Sequence, residues 1–178
     1  METDKGGWTL VWSYHFTIPK YEDFQSSPTA ITPRPSWRAK SNVPVSTSPP
    51  LSETDYNAID FARWKELGSE FLIKSNINNW LICRPGTGSL VHWRGGNVSC
   101  VIFEPVTATC SGTHAPFKFA QNKASGPMLY SDEPWWNSAY YYFDGDTVSR
   151  YPIHDHCGKG GMNQMPKVGN PHGNIFVR

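Results

Sequence analysis

The densest collection of chemistry-bearing side chains in this chain runs from Tyr140 to Asn163, YYYFDGDTVSRYPIHDHCGKGGMN. Asp144 and Asp146, one glycine apart, can offer hard oxygen ligands to calcium, with carbonyls and water completing the shell. The same Asp-Gly pair is also a strong β-turn signal, so the residues alone leave turn and ion site both open. His154-Asp155-His156 places two imidazoles on one side of an extended segment, where His172 or Asp155 could complete a transition-metal set. A zinc enzyme needs in addition an open coordination position and a general base, and the pair by itself supplies neither. Trp135, Trp136, Tyr140, Tyr141 and Tyr142 bring flat apolar faces with polar tips, suited to stacking on sugar rings and to hydrogen-bonding ligand hydroxyls. Alternation along the tyrosine run gives one face to a core and leaves the other available.

Nucleophilic catalysis has no comparable anchor. The sequence contains no G-x-S-x-G elbow, and any Ser, His and Asp grouped into a triad would be an arbitrary choice. Gly158-Lys159-Gly160-Gly161 lacks both the P-loop and the dinucleotide frameworks. The expectation is a protein that is not an enzyme.

Those groups must be held by a body whose composition is itself informative. The 178 residues suit one domain. Only 38% are hydrophobic, but 14% are aromatic, and aromatic side chains can build a core that aliphatics do not. A formal charge of +1 and no basic block argue against a nucleic-acid partner. No apolar run approaches the length of a membrane span, so membrane insertion is not expected. No signal-like segment follows Met1, which reads as a leader removed or as a fragment of a longer chain.

Four cysteines, Cys83, Cys100, Cys110 and Cys157, occur without a C-x-x-C pair. An even count in a turn-rich, aromatic chain points to two disulfides and an oxidising compartment, with three pairings open. Free core thiols are the alternative. Asn97-Val98-Ser99 is a glycosylation sequon, which in a secreted protein marks an accessible loop.

Residues 6–16 alternate as a strand, with Trp8, Leu10, Trp12 and Tyr14 on one face and Thr9, Val11 and Ser13 on the other. Residues 18–50, rich in Pro, Ser and Thr, form a long excursion pinned by Phe24 and Trp37. Thr54–Leu67 carries the best helix pattern, capped by Ser52 or Thr54 and stopped at Gly68. Short strands are expected at Phe71–Ser75, Trp80–Cys83, Ser89–Arg94 and Cys100–Phe103, with a turn at Gly95-Gly96-Asn97. Asn174–Arg178 is a terminal strand positioned to pair with the first.

At this point the residues resemble a family. GGWTLVWSY at 6–14 resembles the strand that opens the body of fibrinogen-related domains, including the intelectin branch. Cys157-Gly158-Lys159-Gly160-Gly161-Met162-Asn163 resembles their late cysteine and glycine-rich segment, and Ile175-Phe176-Val177-Arg178 their closing strand. The likeness lies at the two ends and is weak between them. This chain is shorter, has no cysteine after Cys157, and carries Pro166 where relatives place a ligating acid. The resemblance implies an α+β, fibrinogen C-terminal-like single domain over residues 1–178, with a central twisted antiparallel sheet, few short helices and long loops. It also implies calcium near Asp144, Asp146 and Asp155. Carbohydrate or acetylated ligands would then be bound by Trp136, Tyr140, Tyr142, His154 and His156 in a secreted, extracellular protein. The alternative is an adhesive module of an extracellular fibre or coat, self-associating or bound to a matrix partner.

Overall fold

The structure, a computed structural model, describes residues 6–15, 46–76, 79–106, 108, 115–122, 126–131, 139–141 and 172–178. Within them the chain forms β1 (Thr9–His15), a 3-10 turn (Phe61–Arg63) running into α1 (Trp64–Leu67), and β2 (Phe71–Ser75). Then follow β3 (Trp80–Pro85), β4 (Gly96–Glu104), β5 (Lys118–Asn122), β6 (Gly126–Tyr130), β7 (Ala139–Tyr141) and β8 (His172–Val177). One eight-stranded sheet takes them in the order β1-β8-β2-β3-β4-β5-β6-β7. Every pairing in it is antiparallel.

The α+β expectation is corrected by this architecture. Among the described residues helix is confined to 61–67, so the fold is predominantly antiparallel β. The helix expected over Thr54–Leu67 loses its first half because its backbone is used elsewhere. Ser13 N donates to Asn57 O at 2.9 Å, and Ile59 N donates to Val11 O at 3.0 Å, so 57–59 lies along the outer side of β1. The cap is therefore not Ser52 or Thr54 but Asp60, whose Oδ1 accepts from Ala62 N at 2.9 Å. Gly68 ends the helix as expected.

The first and last strands do pair. Thr9 faces Val177 and His15 faces His172, which sets β8 between β1 and β2. The pairing slips between Leu10 and Trp12, and that bulge changes which side chains share a face. Trp12 and Tyr14 enter the main core with Val11, whereas Trp8 and Leu10 pack on the opposite side with Leu72, Ile82 and Phe176. The single aromatic face read from strict alternation is thus split in two.

The main core gathers Trp12, Tyr14, Trp64, Phe71, Phe119 and their aliphatic neighbours on one side of the sheet. A chain of rings ties its outlying parts together. Phe61 lies 4.8 Å from Trp64 and 6.0 Å from Trp93, and Trp93 lies 5.6 Å from Phe119, centroid to centroid. On the second side, a row of paired neighbours crosses five strands: Leu10 to Phe176, Phe176 to Leu72, Leu72 to Ile82, Ile82 to Val101. The row is buried from β8 to β3 and emerges at β4, where Val101 is 56% exposed.

Between β3 and β4 the expected strand at Ser89–Arg94 is instead a closed turn. Ser89 N donates to Arg94 O at 2.7 Å and Arg94 N returns a bond to Ser89 O at 2.8 Å. Trp93 takes a positive φ of 51° there. Gly96 and Asn97, expected as a hairpin turn, open β4. The loop folds back so tightly that a Cβ on Gly88 would sit 2.3 Å from Gly96 O, which leaves only glycine room at position 88.

Candidate functional site

The residues expected to act fall in two groups. Trp136, Tyr142, Asp144, Asp146, His154, Asp155 and His156 lie outside the described residues, as do Cys110 and Cys157. Tyr140 is placed by its backbone: it sits in β7 opposite Leu129, with Tyr141 opposite Met128. Among the described residues β7 is the last strand of the sheet, which puts the start of the tyrosine run at that edge. His172, the proposed third metal ligand, opens β8 in the position paired with His15. Its backbone N donates to Asn76 Oδ1 at 2.8 Å, and Asn76 N donates to His172 O at 3.2 Å. Among the described residues no group of three or more His, Cys, Asp or Glu side chains is arranged to hold a metal ion.

Cys83 and Cys100 are joined by a disulfide. The register makes them direct partners on β3 and β4, with Cα atoms 4.0 Å apart. That close approach matches a non-hydrogen-bonded antiparallel pair, whose side chains converge. Both sulfurs face the main core.

A second polar constellation, on the other face of the sheet, has no signature in the residue pattern. Lys74 Nζ is 2.5 Å from Glu53 Oε1, with the lysine side chain only 13% exposed. The ammonium lies over the Trp80 ring, 4.5 Å from its centroid, and 5.7 Å from that of Phe176. Glu53 is held in turn by Ser13, whose Oγ donates to the Glu53 carbonyl at 2.6 Å. Trp80 is oriented by its Nε1, which donates to Ser75 O at 3.0 Å. Carboxylate and ring faces match the buried charge, and the hydrogen bonds fix both in place. Chemically this is a clamp. It fastens the 50–56 segment across β1 and β2 and presents no nucleophile.

Ser89 and His92 form the other noticeable pair, with Oγ 3.2 Å from Nδ1. Ser89 Oγ also accepts from His92 N at 3.1 Å, which is the geometry of a serine closing a turn. Ser89 is buried and His92 exposed, and no carboxylate among the described residues orients the ring. The pair is a turn lock.

At the closed end of the sheet, Arg178 joins three partners. Its guanidinium bonds Glu70 Oε2 at 2.8 and 2.9 Å, donates to Gly6 O at 3.2 Å, and stacks 4.3 Å from the Trp8 ring centroid. Comparison with protein-family models, curated proteins and solved structures found no match for the chain.

Proposed function

We propose that this chain is an extracellular recognition domain that binds carbohydrate or acetylated ligands through its aromatic late segment, with calcium assisting. The observation that carries the reading is the position of Tyr140 in the last strand of the sheet that the described residues form. From there the chain passes directly into Tyr142, Asp144, Asp146 and the His154–His156 cluster. A protein surface that recognises sugars needs aromatic faces beside polar groups, and this stretch supplies both. The Cys83–Cys100 disulfide supports an oxidising compartment. Pairing of the two ends that resemble fibrinogen-related domains is in keeping with the same reading.

Asp144, Asp146 and Asp155 would offer hard carboxylate oxygens, a donor chemistry that fits calcium rather than a softer metal. When bound, the ion would supply positive charge to vicinal hydroxyls or an acetyl oxygen, and Trp136, Tyr140 and Tyr142 would exclude water from the ring face. Isothermal titration of acetylated sugars, with and without a chelator, tests the reading. Heat of binding that the chelator abolishes supports it, and absence of binding in both conditions overturns it.

A second reading, an adhesive assembly module, has one observation in its favour. Val101 and Phe103 project from β4 at 56% and 46% exposure, on the face where the apolar row emerges. Sedimentation at two concentrations separates the readings, and a strict monomer removes the second.

A further inference from the structure

We infer that Asn97 is an acceptor for an N-linked glycan. Asn97-Val98-Ser99 is the one N-x-S/T triplet in the 178 residues. Its place in the fold differs from the loop expected of a sequon, since it lies at the start of β4. The period-two alternation of that strand decides whether the triplet can be used. Val98 turns into the core, while Asn97 and Ser99 both face solvent. Acceptor amide and recognition hydroxyl thus share the outer face.

The backbone around Asn97 is fully engaged, so the side chain alone is left to project. Asn97 N donates to Thr87 Oγ1 at 2.9 Å, and Asn97 O accepts from Gly88 N at 2.8 Å. Among the described residues no partner hydrogen-bonds the Asn97 carboxamide. The flanking positions Gly86, Thr87, Arg94 and Gly95 are exposed as well, which leaves room for a branched substituent. The glycan would leave the same face as Val101 and Phe103, with Val101 about 13 Å along the strand. It would then cover the exposed β4 end of the apolar row.

In the transfer, Asn97 Nδ2 forms a bond to the anomeric carbon of an oligosaccharide carried on a lipid diphosphate. The bond from that carbon to the diphosphate oxygen breaks, and the lipid diphosphate leaves with the electron pair. One amide proton passes to the transferring enzyme, and no oxidation state changes. The inference rests on the secretory part of the reading above and not on the identity of any ligand.

The test is expression of the full chain behind a cleavable secretion signal in cultured animal cells. Medium and cell lysate are both examined, because glycans are added before export. Wild type and Ser99→Thr should run as a heavier species that collapses on peptide-N-glycosidase treatment. The enzyme should convert the Asn97 carboxamide to a carboxylate, read by peptide mass. Asn97→Gln and Ser99→Ala should lack that species from the start. Wild type that co-migrates with Asn97→Gln and is unmoved by the glycosidase overturns the inference, as does a glycosidase shift that survives Asn97→Gln. Sugar titration of the same samples is a separate measurement: a glycosylated protein that binds no sugar removes the recognition reading and leaves this one standing.

Discussion

At the scale of single residues, a disulfide, a glycine and two buried phenols carry stability that can be measured separately. The Cys83–Cys100 link closes a span of 17 residues around the 86–95 loop. Loop-closure entropy for that length is worth about 3 kcal/mol. Reduction, or paired Cys83→Ala and Cys100→Ala replacement, should lower the unfolding free energy by about that amount in a denaturant titration. Gly68 is constrained by space as well as conformation. Its φ is 153°, and a Cβ there would fall 1.7 Å from the Arg178 carbonyl carbon. Ser69 N and Glu70 N both donate to Arg178 O, so that carbonyl cannot simply move aside. Gly68→Ala should cost on the order of 3 kcal/mol, visible as a lower melting temperature. Tyr14 and Tyr130 have their phenol pKa values raised by burial. A raised folded-state pKa gives stability that is complete below the unfolded value, about 10, and is lost as pH climbs from there. Unfolding free energy should therefore fall above about pH 10, by up to about 1.4 kcal/mol per pH unit for each phenol. Tyr14→Phe should flatten that alkaline slope, and an unchanged slope would assign the loss to other groups.

At the scale of elements, the sequence was most legible where local pattern and tertiary demand agree. Phe71–Ser75 appears as β2 with the bounds its composition indicates, and the terminal strand pairs with the first. Legibility failed where a distant partner claimed the backbone. The 54–60 segment has helical spacing, but β1 takes the hydrogen-bonding groups of Asn57 and Ile59. Strict alternation misassigned β1 because one bulge reverses the faces after Leu10, and a bulge leaves no mark in residue types here. The Lys74 clamp was invisible for a related reason. Lys74, Trp80 and Phe176 meet through pairing between separated strands and Glu53 reaches them from a turn, so no local motif announces them. The ligand-rich stretch from Tyr140 was conspicuous because its residues are contiguous, although only Tyr140 and Tyr141 of it fall among the described residues. Arg178 tests the end of β8 as a unit, since Glu70, Gly6 and Trp8 all contact it. Arg178→Ala should cost about 1–2 kcal/mol, while Arg178→Lys should recover only the charge and little of the planar stacking.

At the scale of the whole molecule, the sheet has two parts that share β4. β1, β8, β2 and β3 lie to one side of it, and β5, β6 and β7 to the other. β5 pairs only with the first two residues of β4, Gly96 and Asn97, whereas β3 pairs along most of that strand. The first part is closed by β8, which holds β1 on one edge and β2 on the other. β8 also places Ile175 and Val177 in the main core and Phe176 in the opposite one. Removing residues 174–178 would therefore part β1 from β2 and open both hydrophobic layers together. A truncated chain ending at Gly173 should lose its near-ultraviolet circular dichroism and its cooperative thermal transition, not merely a few degrees of stability. Retention of a sharp transition would show that β2–β3–β4 and the ring chain through Trp64 and Trp93 hold the core without the terminal strand. The disulfide gives an internal control for this experiment, because it ties β3 to β4 in either case. Residual structure lost from the truncated chain only on reduction would locate it at that hairpin.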